Sequence, residues 1–353
     1  MSRNATESRC VKRRLVEEPG RRAFLGSITA LSASAFFPGC ASVETGAAAR
    51  RIDVHHHIAP PAYSAALKER MRGHAPWSVQ KSLEDMDKSG IATSVTSLIN
   101  PNTWLGDVPF ARRLARISNE YAATLARDYP GRFGFFASLT LPDVEGSLRE
   151  IEYAMDALKA DGIYLIVSYD DKYLGHPDFS PVLEELNRRR AVVYTHPLSP
   201  QCCGQLQTSV STATIEYAVD TTRTMASLMF TGAAARFPDI RWIFSHSGGV
   251  TPFLLSRFLQ EEKVRKDLEQ KLPNGVMHEL RKFYYETAQG NHSGALAGLL
   301  KIAPISQVLY GTDFPFRDGE EENAGLGAFG FSAADMRAIN RENALRLLPR
   351  LKA

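Results

Sequence analysis

The 353-residue sequence contains only four cysteines, and two of them, Cys10 and Cys40, stand close to its amino terminus. The other two, Cys202 and Cys203, are adjacent. Neighbouring cysteines rarely form a disulfide, because the geometry between them is strained. The sequence therefore predicts neither a disulfide framework nor a cysteine-rich zinc site.

An excess of charge of one sign is also missing, since the formal net charge is only +3. Much of the positive charge lies before residue 23, at Arg3, Arg9, Lys12, Arg13, Arg14, Arg21 and Arg22. The rest of the chain is nearly balanced and has no basic stripe. We therefore expect no nucleic-acid partner.

Long apolar runs are scarce as well. The mildly apolar residues 23–37 follow a twin arginine, Arg21-Arg22, and are too short and too rich in Ser and Thr to span a bilayer. The order of positive charge, apolar run and small residues resembles a twin-arginine export signal. We expect residues 1–49 to be an export leader and linker, and the protein to be periplasmic. The alternative is a disordered basic tail on a cytoplasmic protein.

The motif FPGC near the end of this leader is a loose lipobox, in which Cys40 would be lipidated after cleavage. Pro38 departs from the small or aliphatic residue that is usual at its position. A lipid anchor at Cys40 is the one membrane attachment that the sequence indicates.

From Arg51 onward, short β-branched and aromatic runs alternate with amphipathic segments such as SVQKSLEDMDKSG, several of which end in glycine. The eight runs, each with its first residue, are RIDVHH (Arg51), IATSVTSLI (Ile91), FGFFASLTL (Phe133), GIYLIVSY (Gly162), AVVYTHP (Ala191), IRWIFSHSGG (Ile240), FYYETA (Phe283) and QVLYGTDFP (Gln307).

This alternation predicts parallel strands joined by crossover helices. Eight such units favour a single closed (β/α)8 TIM barrel of the α/β class over residues 50–353. An open doubly wound sheet is the alternative, but it is weakened because no Gly-rich phosphate loop follows the first run. The longest connection, LSPQCCGQLQTSVSTATIEY, follows the fifth run, on the side where barrel enzymes carry functional loops.

Three consecutive histidines, of which the third directly follows the run, stand at the end of the first run. Because side chains alternate faces along a strand, His55 and His57 share one face while His56 points to the other. If the shared face is the barrel interior, two imidazoles converge at the mouth and His56 lies under the helices. Taken alone, the pattern fits two solvent-exposed histidines equally well.

Three further runs also end in an ionisable group: the fifth in His196, the sixth in His246 and the eighth in Asp313. The carboxyl ends of parallel barrel strands meet at one mouth. Three or four nitrogen and oxygen ligands with an open position suit a catalytic divalent ion such as zinc. The sequence thus predicts a metal site at the mouth.

The set DVHHH, THP, SHSGG and GTDFP, on runs one, five, six and eight, resembles the amidohydrolase superfamily. Its order and flanks resemble the decarboxylase branch typified by aminocarboxymuconate-semialdehyde decarboxylase. The stretches SNEYAATLARDYPGRFGFFASLTLPD, DTTRTMASLMFTG and RENALRLLPRL are most similar to 6-methylsalicylate decarboxylase-like members. The resemblance covers the chain from Arg51 to its carboxyl terminus.

This resemblance implies four metal ligands, namely His55, His57, His196 and Asp313. It places His246 beside the metal as an acid, base or orienting group. Binuclear relatives use a carboxylated lysine at the end of the fourth strand, whereas the corresponding run here reaches no lysine until Lys172. One divalent ion per chain is therefore expected, zinc first and manganese as the alternative.

The implied activity is metal-dependent, non-oxidative decarboxylation of a small aromatic acid of the hydroxybenzoate or 6-methylsalicylate type. Such a reaction protonates the ring carbon that carries the carboxylate, and either Asp313 or His246 could supply the proton. Two other hypotheses stay open. One is a mononuclear metal-dependent hydrolase of a lactone, ester or amide, and the other is a non-catalytic exported binding lipoprotein.

Two residues are candidates for binding the carboxylic acid substrate. Arg223 could clamp its carboxylate through two parallel hydrogen bonds, although a helical ion pair with Asp220 explains this arginine equally well. Trp77 falls in a predicted mouth loop and could stack on the ring of a substrate, although a role in packing is equally consistent with its position. The family analogy further implies a homodimer.

Overall fold

The computed structural model describes residues 50–68, 70, 74–203 and 209–352. The expectations for residues 1–49, including the twin arginine Arg21-Arg22 and the lipobox Cys40, lie outside these residues. Within the described ranges, no helix is both long and apolar enough to cross a bilayer.

The described part of the chain builds an eight-stranded parallel sheet and one small hairpin. The sheet strands, in spatial order, are β1 (Arg51–Ile58), β2 (Ile91–Leu98), β3 (Phe133–Ser138), β4 (Gly162–Ile166), β7 (Val192–His196), β8 (Arg241–Phe244), β9 (Tyr284–Glu286) and β10 (Val308–Leu309). The antiparallel hairpin that follows β4 consists of β5 (Ser168–Tyr169) and β6 (Lys172–Tyr173).

Hydrogen bonds between the two ends of the sheet close it into a barrel. The backbone N–H of Val54 donates to Tyr310 at 3.0 Å, and that of His57 donates to Phe314 at 2.7 Å. The N–H of Asp313 donates in return to the carbonyl of His55 at 2.8 Å. The prediction of a TIM barrel is therefore confirmed, and the open doubly wound sheet is excluded.

Helices fill the connections between the strands of the described chain. They are α1 (Pro61–Lys68), α2 (Val79–Ser89), α3 (Val108–Asp128), α4 (Val144–Glu152), α5 (Ser180–Arg188), α6 (Thr212–Phe230), α7 (Ala233–Arg236), α8 (Thr251–Val264), α9 (Leu268–Lys271), α10 (Val276–Lys282), α11 (Ser293–Ile302), α12 (Gly319–Phe329), α13 (Ala333–Arg337) and α14 (Asn343–Leu347).

Helix α2 shows how local sequence sets these bounds. The hydroxyl of Ser78 accepts a hydrogen bond from the backbone N–H of Lys81, which caps the amino end. Gly90 ends the helix with a φ of 68°, a left-handed conformation that glycine adopts without a steric penalty. The amphipathic segment predicted here is therefore a helix with both ends capped.

Alternate strand residues pack on opposite sides of the barrel wall. Ile163, Leu165 and Val193 belong to an apolar cluster that also contains helix residues of α5. Tyr164 and Tyr194 occupy the intervening positions and stack with ring centroids 5.6 Å apart. The Tyr194 ring also lies 5.4 Å from that of His55. Aromatic rings therefore support the histidines from within the barrel.

Two predicted runs are strands over only part of their length. The seventh forms β9 over three residues and the eighth forms β10 over two. Shortly after them the chain takes left-handed conformations, with φ values of 54° at Gln289 and 67° at Asp313. Residues 310–314 nevertheless continue to form backbone hydrogen bonds with β1, so the eighth run stays in the barrel wall beyond β10.

The long connection after the fifth run is also partly helical, because α6 begins inside it at Thr212. The Ser211 hydroxyl caps this helix by accepting a hydrogen bond from the N–H of Ala213 at 3.3 Å. Cys202 and Cys203 in the same connection are free thiols with sulfur atoms 3.6 Å apart.

Candidate metal centre and active site

Four side chains from three parts of the barrel meet at its mouth: His55, His57, His196 and Asp313. All four are buried, and one ligand atom from each lies within 4.8 Å of the others. The Nε2 atoms of His55 and His57 are 3.0 Å apart. Oδ1 of Asp313 lies 3.1 Å and 3.2 Å from these two nitrogens. The four groups thus point at one common centre.

The hydrogen bonds on the outer side of the cluster fix which ring nitrogens carry protons. Nδ1 of His55 lies 2.9 Å from a carboxylate oxygen of Glu286, and Nδ1 of His196 lies 2.9 Å from the carbonyl of Pro197. Carboxylate and carbonyl oxygens only accept, so both Nδ1 atoms are the protonated ones. With a metal ion at the centre, each Nε2 could therefore supply a lone pair to it.

The inner atoms are suited to a cation. Nε2 of His196 and Oδ1 of Asp313 are buried and have no hydrogen-bond partner within the described residues. Unpartnered buried polar atoms are costly, unless another group satisfies them. Three imidazole nitrogens and one carboxylate oxygen form a donor set that zinc and manganese both accept. The cluster can therefore bind one divalent ion.

The charges around the cluster support this interpretation. Although burial favours the neutral ring, the carboxylates of Glu286 and Asp313 raise the pKa of His55 to about 10. Burial and the neighbouring imidazoles lower the pKa of His196 well below its ordinary value. Burial opposes ionisation of Asp313, but the nearby imidazoles, His55 above all, hold its pKa well below the usual range. The two carboxylates thus offer a negative environment for a cation.

His246 lies beside the cluster on the loop after β8. Its ring centroid is 5.2 Å from that of His55 and 5.3 Å from that of His196. Nε2 of His246 lies 3.6 Å from Oδ2 of Asp313, just beyond hydrogen-bonding distance. Neither ring nitrogen has a hydrogen-bond partner in the part of the chain that the structure describes. The imidazole is therefore free to exchange a proton with a bound molecule.

The backbone around His246 is strained. His246 and Ser247 have φ values of 54° and 55°, in the left-handed region that is unfavourable for side-chain-bearing residues by about 1–2 kcal/mol each. The N–H of His246 donates to Glu286 at 2.6 Å, which helps to hold this conformation. Strain of this kind is concentrated at functional sites in proteins.

His56 points away from the cluster, as strand alternation predicts. Its ring nitrogens lie 3.2 Å from a carboxylate oxygen of Asp53 and 2.9 Å from the hydroxyl of Ser82 in α2. The ring stacks on Phe314 with centroids 4.6 Å apart. His56 therefore belongs to the packing between the barrel wall and the helices.

Trp77 lies on this outer side as well. Its indole N–H donates to Ser82 at 2.9 Å, and its ring meets Tyr121 of α3 edge-on at 6.1 Å. Among the described contacts of Trp77, none reaches the four-residue cluster. Its predicted stacking on a substrate ring stays a prediction without a supporting contact.

Arg223 lies on α6, and its guanidinium contacts acidic residues of the same helix. Nη1 is 3.4 Å from Glu216 and 3.7 Å from Asp220. The side chain is 39% exposed. These contacts are those of the helical ion pair, and the role as a carboxylate clamp stays a prediction.

Four residues that sequence reasoning did not single out also border the site: Glu286, Gln289, Asn100 and Tyr217. Gln289 donates a hydrogen bond to Oδ2 of Asp313. Asn100 donates to the Tyr217 hydroxyl at 3.1 Å, and the Tyr217 ring lies 5.7 Å from that of His196. Glu286 could have been found, because it too is an ionisable residue at the end of an apolar run. The other three carry no comparable signal.

Comparison with known proteins places this geometry in a family. The family model described as Amidohydrolase matches residues 52–350. The chain belongs to the amidohydrolase family. It is 37% identical to the decarboxylase yanB of Aspergillus niger, over 86% of this chain and 88% of that protein. It is 32% identical to the 6-methylsalicylic acid decarboxylase of Penicillium expansum, over 86% and 97% of the two chains.

A solved structure agrees with the fold. The dihydroxybenzoic acid decarboxylase from Polaromonas, crystallised with manganese and an inhibitor, aligns with a TM-score of 0.71 over 86% of this chain and 98% of that one, at 21% identity. The relatives are decarboxylases, so the expected place of this amidohydrolase in the decarboxylase branch is confirmed. The members of that branch are carboxy-lyases.

Proposed function

We propose that this amidohydrolase is a metal-dependent, non-oxidative decarboxylase of a hydroxybenzoic acid of the 6-methylsalicylate type. The observation that carries the proposal is the convergence of three imidazoles and Asp313 next to His246, whose ring nitrogens are unpartnered within the described residues. The similarity to a decarboxylase of 6-methylsalicylic acid supports the choice of substrate class.

We propose His55, His57, His196 and Asp313 as the residues that hold one divalent ion. When bound, such an ion supplies Lewis-acid stabilisation of the negative charge on the substrate oxygens next to the reacting carbon. Zinc suits the histidine-rich donor set, and manganese is the alternative because the Polaromonas enzyme was crystallised with it.

His246 is the proposed proton donor. Asp313 uses Oδ1 toward His55 and His57 and Oδ2 toward Gln289, whereas the His246 ring keeps both nitrogens available. The proton moves from this imidazole to the ring carbon that bears the carboxylate. The carbon–carbon bond then breaks, its electron pair restores the aromatic ring, and CO2 leaves.

Aromatic side chains at the mouth are suited to hold a planar ring. Phe316, which is 49% exposed, has its ring centroid 5.9 Å from that of His57. Tyr217 presents its ring on the His196 side, with centroids 5.7 Å apart. Aromatic pairs at such distances favour edge or offset contacts. We propose that these two residues orient the substrate and keep water from the reacting carbon.

Turnover of 6-methylsalicylate and related hydroxybenzoates in deuterated water tests the function. The expected products are CO2 and a phenol with one deuterium at the position that the carboxylate has left. His246→Asn is expected to retain the metal and to lower kcat by roughly 100-fold or more, as loss of a general acid does.

The competing hydrolase would give a different result. It would incorporate labelled solvent oxygen into a newly formed acid from a lactone, ester or amide, without CO2. That outcome would contradict the decarboxylase proposal. Absence of turnover on both substrate panels, with the metal site fully loaded, would support a binding protein instead.

A further inference from the structure

A second buried carboxylate, Glu286, lies directly behind the four-residue cluster. It ends β9 and its side chain is fully buried. Oε1 lies 2.9 Å from Nδ1 of His55 and accepts a hydrogen bond of 2.6 Å from the backbone N–H of His246. Oε2 accepts from the backbone N–H of Ala288 at 2.7 Å. Three donors therefore surround this one carboxylate.

The barrel wall leaves room for the Glu286 carboxylate at a glycine. A Cβ atom placed on Gly311 would stand only 2.2 Å from Oε2 of Glu286 and 2.9 Å from the side chain of His55. Any larger residue at this position would push the carboxylate away from the imidazole. The close approach of Glu286 and His55 is thus built into the backbone.

We propose that Glu286 is a positioning residue, whose Oε1 fixes the His55 ring for a divalent ion and holds His246 in place through its backbone. The part that concerns His246 rests on the proposed function, whereas the part that concerns His55 does not. Carboxylates that accept a hydrogen bond from the far nitrogen of a metal-binding imidazole set its tautomer and orientation. Here the same oxygen also stabilises the left-handed backbone of His246.

The contacts explain why a glutamine of the same shape would be a poor substitute. An amide offers one oxygen and one NH2 group, while all three neighbours of Glu286 donate. With the amide oxygen toward His55, the NH2 group faces the N–H of Ala288. With the amide reversed, the NH2 group faces His246, and His55 must move its proton to Nε2, the atom that points into the cluster.

Glu322 on α12 provides a matched control. It is also buried, with 2% of its surface exposed. Burial raises the pKa of Glu322 well above the usual range, so glutamine resembles the neutral acid that this site favours. Glu322→Gln therefore tests the general cost of exchanging a buried glutamate in this barrel.

The experiment measures the affinity of metal-stripped full-length protein for zinc and for manganese, by competition with a chromogenic chelator. Glu286→Gln is expected to weaken affinity by about 10–100-fold, as loss of such a partner does in other metal sites. Glu322→Gln should bind as tightly as the parent protein. Glu286→Asp keeps the charge and should recover part of the loss, while circular dichroism and Tm report the fold.

Parental metal affinity in folded Glu286→Gln would overturn the proposal, as would an equal loss in Glu322→Gln. If Glu286→Gln does not fold, Glu286→Asp provides the test. A folded Glu286→Asp with parental metal affinity would contradict the proposal. A folded Glu286→Asp with weakened metal affinity would support it. If neither variant folds, Glu286 has a structural role, and the proposal that it positions His55 and His246 is overturned.

These titrations contain no substrate, so they stand whether or not the protein is a decarboxylase. A kinetic measurement at saturating metal then tests the contribution of His246. Because small displacements of a reacting group cost up to about 100-fold in rate, kcat of Glu286→Gln should stay below the parental value at full metal occupancy, with KM little changed. If kcat of Glu286→Gln equals the parental value at full metal occupancy, Glu286 acts on His55 alone. That result would overturn the proposed effect of Glu286 on His246.

Discussion

The hydroxyl of Thr312 donates a hydrogen bond of 2.7 Å to the carboxylate of Asp53, joining residues 259 positions apart in the sequence. The same carboxylate accepts from the backbone N–H of Thr312 at 3.1 Å and from that of His55 at 2.9 Å. Asp53 therefore holds the residue before Asp313 next to the strand that carries His55 and His57. This buried link connects the two sides of the candidate metal centre.

Replacing Thr312 by valine should loosen this link while preserving side-chain shape. Loss of a hydrogen bond to a charged acceptor should lower the free energy of unfolding by about 1.5–3 kcal/mol. We also expect weaker metal binding, because Asp313 follows Thr312 directly. Chemical denaturation and a metal titration measure the two effects.

Thr224→Val is the control for this change, since the Thr224 hydroxyl is buried but donates to the neutral carbonyl of Val167 at 3.1 Å. It should cost about 0.5–1.5 kcal/mol and leave metal affinity unchanged. Equal effects of the two substitutions on metal affinity would show that the link to Asp53 does not position Asp313.

Metal content should depend on which face of β1 is altered. His57→Ala should empty the site, since it removes one of the four converging groups. His56→Ala should leave the site loaded and lower the free energy of unfolding by roughly 1–3 kcal/mol, because it removes buried hydrogen bonds to Asp53 and Ser82. Elemental analysis that found metal in His57→Ala and none in His56→Ala would contradict the assignment.

Arg223 has two interpretations that kinetics can separate. If it clamps a substrate carboxylate, Arg223→Ala should reduce kcat/KM by roughly 30-fold or more, which corresponds to about 2 kcal/mol. If it only pairs with Glu216 and Asp220, stability should fall by about 0.2–0.5 kcal/mol and kinetics should not change.

Arg188→Ala is the matched control for this test, because Arg188 forms a comparable i, i+3 ion pair with Glu185 on α5 and is 65% exposed. The kcat/KM values of Arg223→Ala and Arg188→Ala should differ from each other only if Arg223 contacts the substrate. Identical kcat/KM values would assign Arg223 to the helix surface.

Export remains a proposal that rests on the leader sequence alone. The twin-arginine route carries folded proteins, which suits a barrel that acquires its metal before it leaves the cytoplasm. Changing Arg21 and Arg22 to Lys should therefore retain the protein inside the cell. Fractionation identical to that of the parent protein would remove the export proposal, and fractionation of Cys40→Ser tests the lipid anchor separately.

Strand and helix periodicity in the sequence predicted the barrel and much of its candidate metal centre. Alternation along β1 separated His55 and His57 from His56, because successive side chains of a strand must point to opposite faces. Polar residues at the ends of apolar runs indicated His196, His246 and Asp313, since parallel barrel strands all end at one mouth. The resemblance to decarboxylases then indicated the reaction, which periodicity alone does not indicate.

Only the tertiary structure decided the surroundings of these groups. Glu286 meets His55 across 231 positions of sequence, and it does so because the closed barrel brings β9 to within two strands of β1. Trp77 contacts Ser82 and Tyr121, and Arg223 contacts its own helix, while the substrate-binding roles of both stay predictions. Local periodicity determines which face of a strand a residue occupies, whereas loop conformation and barrel closure determine which distant atom it meets.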